Sequence, residues 1–158
     1  MAWSRQLESN NFQSFYILLD SGESKEIFPQ NNKHSFRNKF NKEYNLNENW
    51  TVALCDFQFF IGSEEGIKQN NINVYCNIIT ETQIGYSDKQ LLRRVPIRES
   101  DLSRGWLLTN IINPYYLTIK STVISEIGIT IDTSPTEIEL QQDSEKETSL
   151  LLHFNKKI

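Results

Sequence analysis

Trp50-Thr51-Val52-Ala53-Leu54-Cys55-Asp56-Phe57 is the stretch on which the fold turns. Trp50, Val52 and Leu54 recur at every second position, the period of a pleated strand that buries one face. Working outward, the same period returns at residues 72–79. There Ile72, Val74, Cys76 and Ile78 alternate with Asn73, Tyr75, Asn77 and Ile79. Further on, residues 91–97 read as a strand interrupted by Pro96. Residues 115–120 set Tyr115, Leu117 and Ile119 against Tyr116, Thr118 and Lys120, residues 127–132 alternate around Ile127, Ile129 and Ile131, and residues 150–154 place Leu150, Leu152 and Phe154 inward. Upstream, Phe15, Ile17 and Leu19 share a face. At residues 35–39, Phe36, Asn38 and Phe40 are set against His34, Arg37 and Lys39, with His34 expected on the polar side.

Polar turn segments separate these runs: Asp20-Ser21-Gly22-Glu23-Ser24, the loop 61–71 with Gly62, Gly66 and Asn70-Asn71, Gly85, and Thr133-Ser134-Pro135-Thr136. Each carries residues that favour turns for steric or hydrogen-bonding reasons. No segment sustains a 3.6-residue apolar period. About eight runs punctuated in this way predict an all-β, two-sheet sandwich, a single eight-stranded jelly roll. Trp50, Val52, Leu54, Ile72, Val74, Ile129, Ile131 and Leu152 are its expected core. Residues 12–158 form the predicted domain and residues 1–11 an N-terminal arm, whose large apolar side chains are Trp3 and Leu7.

Composition agrees. With 158 residues the chain suits one domain. Its only alanines are Ala2 and Ala53, and Ile leads the apolar residues, a bias away from helix and toward the pleated sheet. The formal net charge is -4, which argues against genome binding, since nucleic-acid binders neutralise phosphates with positive charge. No specific nucleic-acid binding is expected. The N-terminus lacks the apolar core of a signal peptide, and no stretch approaches the length of a membrane helix, so neither secretion nor membrane insertion is expected.

Motifs for chemistry are missing. The only histidines, His34 and His153, are expected at the surface, too few and too scattered for a metal cluster. Cys55 and Cys76 fall on opposite-facing positions of their strands, which weakens any case for a bridge and leaves them as small buried hydrophobes. There is no Gly-x-Ser-x-Gly elbow and no glycine-rich phosphate loop. Glu64-Glu65 is a carboxylate pair only in name, because adjacent loop residues splay apart. The sequence therefore predicts no enzyme, no metal and no cofactor. Two charge clusters stand out: Arg93, Arg94 and Arg98, and the acidic set Glu137, Glu139, Asp143, Glu145 and Glu147. Both are solvated faces or complementary patches that meet across a homo-oligomer interface.

The order of these motifs resembles the penton (vertex, minor capsid) proteins of the virophage, Polinton-Maverick and adintovirus group. The resemblance runs through Phe15-Tyr16-Ile17-Leu18-Leu19-Asp20-Ser21, Phe28-Pro29-Gln30-Asn31, the Phe36–Phe40 strand and Trp50 to Asp56. It continues in Val74-Tyr75-Cys76-Asn77-Ile78-Ile79, Ile84-Gly85, Leu91-Leu92-Arg93-Arg94-Val95-Pro96, Pro114-Tyr115-Tyr116, Ile127 to Asp132 and Leu152-His153-Phe154. It spans residues 12–157, departing where Asn77 stands for Asp and Pro135 for Gly. It implies a single jelly roll in the virion, standing at an icosahedral fivefold vertex as a homopentamer and contacting the double-jelly-roll major capsid protein. The residues expected at its interfaces are Trp3, Leu7, Arg93, Arg94, Arg98, Trp106, Tyr115 and Tyr116. The alternative is a monomeric jelly-roll binding module, lectin-like or receptor-binding and possibly domesticated, with Trp106, Tyr115 and Tyr116 as its platform.

Overall fold

A computed structural model describes residues 13–46, 49–62, 71–84, 86–133 and 146–157. Among the described residues there is no α-helix. The strands are β1 (Ser14–Asp20), β2 (Ser35–Asn45), β3 (Trp50–Phe60), β4 (Asn71–Cys76), β5 (Thr82–Ile84), β6 (Ser87–Lys89), β7 (Leu91–Pro96), β8 (Leu102–Ser103), β9 (Trp106–Asn110), β10 (Leu117–Thr118), β11 (Val123–Asp132) and β12 (Ser149–Lys156). One sheet runs β1-β12-β3-β9-β8, with β10 also pairing β3, and the other runs β2-β11-β4-β7.

Four antiparallel pairs are nested: β1 with β12, β2 with β11, β3 with β9 and β4 with β7. The chain is one long hairpin with the small β5–β6 hairpin at its tip. It is rolled so that successive rungs alternate between the two sheets, the topology of a jelly roll. Eight long strands carry the sandwich, though one differs from the sequence expectation. Residues 115–120 supply only the two-residue β10, and β9 takes the place in the roll. The run Trp106-Leu107-Leu108 hides β9 because apolar residues occupy both parities, yet only Leu107 and Thr109 turn inward while Leu108 is exposed.

The core lies between the sheets, and all eight residues expected there are buried. At one end Phe15 stacks on Phe154 at 4.7 Å and on Tyr44 at 5.4 Å, with Trp50 tilted against it at 5.4 Å. β3 reaches the core by both parities. Leu54 pairs with Leu152 and Asp56 with Leu151, so Cys55 is an extra residue in its strand, a β-bulge. Before it Val52 and Leu54 face inward, and after it Phe57 and Phe59 do, where straight alternation would send Phe57 outward. Cys55 is consequently only half-buried, whereas Cys76 is buried as expected, and both are free thiols.

His34 departs from its expected surface position. It is buried, with Nε2 3.0 Å from the Thr133 hydroxyl and its ring edge-on to Phe59 at 5.2 Å. It precedes β2 at the parity of Phe36, so the alternation that buries Phe36 buries it too. Its neighbour Lys33 is also buried and donates to the Phe60 carbonyl at 3.0 Å. Thr148, next to Glu147 of the acidic set, is fully buried, and its hydroxyl donates to the Lys33 carbonyl at 2.7 Å.

Candidate interaction surfaces

The two outer faces of the sandwich differ in chemistry. On the six-stranded sheet, Tyr16 and Leu18 of β1 project outward, 46% and 66% exposed. Register places Tyr16 beside His153 and Leu18 beside Leu151 on β12. The Tyr16 ring stacks on His153 at 4.4 Å, and the Tyr116 hydroxyl lies 2.7 Å from His153 Nδ1. Burial pulls the His153 pKa below its usual value. Burial raises the Tyr116 phenol, with Cys55 and Tyr16 adding to the effect. The Cys55 thiol is likewise raised, by burial first and then by Asp56, against a hydrogen bond from the His153 backbone that lowers it. A His–Tyr–thiol group thus sits beside exposed apolar side chains, and burial disfavours the charged form of each of its members. Burial pushes the Cys76 thiol up to about 12, which makes it inert.

The four-stranded sheet is finished with polar pairs. Arg37 Nη1 is 3.5 Å from Glu126 Oε1, and Arg94 Nε donates to Asn73 Oδ1 at 3.0 Å. Asn77 Oδ1 accepts from the Gly128 amide at 2.8 Å. A Cβ on Gly128 would come within 3.2 Å of the Asn77 amide nitrogen, so glycine is what lets this side chain lie flat on the strand.

Sheet edges differ too. The outer edge of β2 is sealed by side chains that imitate a strand. Asn31 Oδ1 accepts from the Arg37 amide at 3.0 Å, while its Nδ2 donates to the Arg37 carbonyl at 2.8 Å. Ser24 Oγ accepts from the Lys39 amide at 3.0 Å. Buried Asn38 does the same at the end of β1, accepting from the Asp20 amide at 2.9 Å and donating to its carbonyl at 2.8 Å. Sequence reading set Asn38 on the apolar face with Phe36 and Phe40 but gave neither it nor Asn31 a pairing role, because a local pattern does not reveal which backbone a side-chain amide will meet. The usable signal was Asn38 itself, at a buried parity between Phe36 and Phe40.

The residues expected at interfaces do not form one patch. Arg93 lies 4.4 Å from the Tyr115 ring centroid and donates to the Asn113 carbonyl at 3.3 Å. Arg94 points to the polar outer face, and Arg98 is exposed ahead of the 3-10 turn Glu99–Asp101. Trp106 packs edge-on against Phe60 at 5.2 Å. Tyr116 belongs to the His153 group. Trp106, Tyr115 and Tyr116 therefore serve three separate contacts rather than a common platform. Trp3, Leu7 and the arm 1–11 lie outside the described residues, as do Glu64-Glu65, Gly66, Asn70, Gly85, Ser134-Pro135-Thr136 and Glu137, Glu139, Asp143 and Glu145. Of the acidic set, Glu147 is described. Asp20 beside it is the main cause that raises its carboxyl, with desolvation second.

A cleft of about 470 Å³ opens between the β5–β6 hairpin and the polar sheet, lined by Tyr75, Glu81, Asp88, Lys89, Gln90 and Asp132 among others. Among the described residues no three His, Cys, Asp or Glu side chains converge, and no helix is long and apolar enough to cross a membrane.

No family model matches this sequence, and no curated protein is similar to it in sequence. By structure the chain is similar to selenomethionine-labelled mavirus penton protein, with a TM-score of 0.61 at 7% identity, covering 92% of this chain and 100% of that one. The infectious bursal disease virus VP2 subviral particle is similar at a TM-score of only 0.23, with 8% identity, over 38% of its chain. What the likeness to the mavirus protein shows is the shared jelly-roll fold.

Proposed function

We propose that this chain is a structural capsid protein of the penton type, a homopentamer at the fivefold vertex of a virion that contacts a double-jelly-roll major capsid protein. The observation that carries the reading is the extent of the structural match. The mavirus penton protein is covered from end to end, and 92% of this chain is used in covering it. A ring of five needs a heterologous interface, one surface of each copy meeting a different surface of the next. The chain has two such unlike surfaces. The apolar pair Tyr16 and Leu18 with Tyr116 is one, and the β7 edge, where Arg93 lies over Tyr115, is the other. In this reading the protein is no enzyme and needs no cofactor.

Solution mass tests this. The purified full chain, alone and mixed with its major capsid protein, is expected to give a particle of five times 18.5 kDa or to enter vertices seen by electron microscopy. The second reading, a monomeric binding module, is favoured by one observation: the cleft beside Tyr75 combines an aromatic ring with carboxylate, amide and ammonium groups, the set that hydrogen-bonds a saccharide. A chain that stays at 18.5 kDa in both conditions and binds glycans through that cleft would replace the capsid reading.

A further inference from the structure

A second hollow lies on the outer face of the four-stranded sheet, next to the cleft under the β5–β6 hairpin. Its cause is the register of three strands. Arg37 of β2 pairs with Gly128 of β11, Ser35 with Thr130, and Thr130 in turn with Tyr75 of β4. Three short residues, Ser35, Gly128 and Thr130, are therefore fenced by the longer Arg37, Tyr75 and Asn77. The hollow they leave is a notch of about 160 Å³, which Gln90 also lines. That is the share of about five water molecules. Tyr75, Gln90 and Thr130 line the 470 Å³ cleft as well, so the notch and the cleft adjoin and form one groove.

Two side-chain amides in the notch are already aimed. Asn77 Oδ1 accepts from the Gly128 amide at 2.8 Å, which leaves Nδ2 beside Gly128, 3.2 Å from where a Cβ would stand. Gln90 Nε2 donates to the carbonyls of Asn77 at 3.1 Å and Ile79 at 2.9 Å, which leaves Oε1 to accept. One donor and one acceptor, each oriented by the bonds of its amide's other atom, remain for a ligand. Groups fixed in this way lose little freedom when a ligand binds.

The charges argue against an ionic ligand. Arg37 is paired with Glu126 at 3.5 Å, and Lys89 lies over the Tyr75 ring at 5.7 Å. The other charged side chains of the cleft, Glu81, Asp88 and Asp132, would repel an anion. Among the described residues no three carboxylates converge as a metal site requires. What fits is a neutral molecule whose hydroxyl groups both donate and accept, small enough at one end to enter the notch. We propose that the groove binds an uncharged saccharide, with one ring in the notch between Asn77 Nδ2 and Gln90 Oε1 and the next beside Tyr75 in the cleft. The proposal rests on the saccharide reading of that cleft and not on the capsid reading, since neither surface given to the ring includes the groove.

Titration of the full chain tests this. The probes are the methyl glycosides of glucose, galactose, mannose and N-acetylglucosamine and disaccharides of the same sugars, with glucuronate and sialic acid as charged controls. Binding is read by saturation transfer from protein to sugar and by the resonance of the Asn77 side-chain amide. At least one neutral probe is expected to bind saturably in the millimolar range and to move that resonance, and the charged controls to bind more weakly. Asn77→Asp keeps the acceptor for the Gly128 amide and removes the donor, so it tests the site without disturbing the strand pairing. Gly128→Ala puts a methyl group into the notch. Each is expected to weaken binding about five- to tenfold, the effect of one hydrogen bond. Binding that survives both changes but is lost in Tyr75→Ala would overturn the notch and leave the saccharide reading of the cleft standing. No saturable binding of any neutral probe would overturn both. Charged controls that bind as tightly as the neutral probes would overturn the assignment to an uncharged ligand.

Discussion

The outer faces of the two sheets rest on the same core and have opposite finishes. On the four-stranded sheet three outward polar side chains reach a neighbouring strand: Arg37 pairs with Glu126, Arg94 with Asn73 and Asn77 with Gly128. On the six-stranded sheet Leu18 and Tyr16 stand 66% and 46% exposed on β1, while Leu108, 43% exposed on β9, lies in a row with Gln58, Ser149 and Asp20. Exposed apolar side chains that sit side by side are the kind of surface a partner covers. The difference teaches that outward polar side chains of one sheet find partners within the described chain, while outward apolar ones of the other are left in solvent.

The largest expected effects test the shared core under that comparison. Leu152→Ala on the six-stranded sheet and Ile129→Ala on the four-stranded sheet each remove a fully packed side chain, and each is expected to cost about 2–5 kcal/mol by chemical denaturation. A large loss for one and none for the other would mean that the two sheets do not share a core.

Next comes the seam where the sheets meet at β1 and β2. Asn38→Ala strips both hydrogen bonds from the Asp20 backbone inside a nearly closed site. The expected loss is about 1–3 kcal/mol, the cost of leaving buried polar groups unsatisfied. Asn31→Ala removes the same kind of pairing from Arg37 at an exposed position, where water replaces it, and is expected to cost much less. Equal losses would show that burial is not what separates the two.

The faces themselves are separated by Leu18→Ser. It is expected to change stability by no more than about 0.5 kcal/mol, as exposed substitutions do, yet to reduce assembly measured by native mass. Arg37→Ser on the other face is expected to leave assembly intact. If both variants assemble as the parent does, the apolar pair is not a subunit contact.

Much of this was legible in the sequence, and the gaps have physical causes. Strands with one buried face reveal themselves through period-two alternation, which is why residues 50–54, 72–76 and 127–131 were read correctly with their core side chains. Alternation fails where a bulge shifts parity, as at Cys55, and where a strand is apolar on both faces, as in β9. It also failed at His34, where residue type was weighed above parity. The interface residues were the least legible, because exposure of Tyr115 or Arg93 depends on loops whose path no local pattern specifies. Here Arg93 lies over Tyr115, which a loop brings to it.

The smallest effect concerns pH and belongs to the apolar face alone. His153 is packed by Tyr16 from β1, by Tyr116 from the segment before β10 and by the Cys55–Asp56 bulge on β3. Burial depresses its pKa, so the unfolded chain binds the proton more readily than the folded one. Its contribution to stability is present above the unfolded value of about 6.5 and is lost as pH falls through the lower folded value. Glu147 acts with the opposite sign. Its raised carboxyl favours the fold at low pH, and that contribution is lost as pH rises through the folded value. Thermal melts between neutral and mildly acidic pH are therefore expected to show a small fall in stability that His153→Gln flattens and Glu147→Gln makes steeper. The polar face has no histidine to contribute, since His34 lies inside. If His153→Gln melts with the same acid dependence as the parent, the imidazole is not the group that links this face to pH.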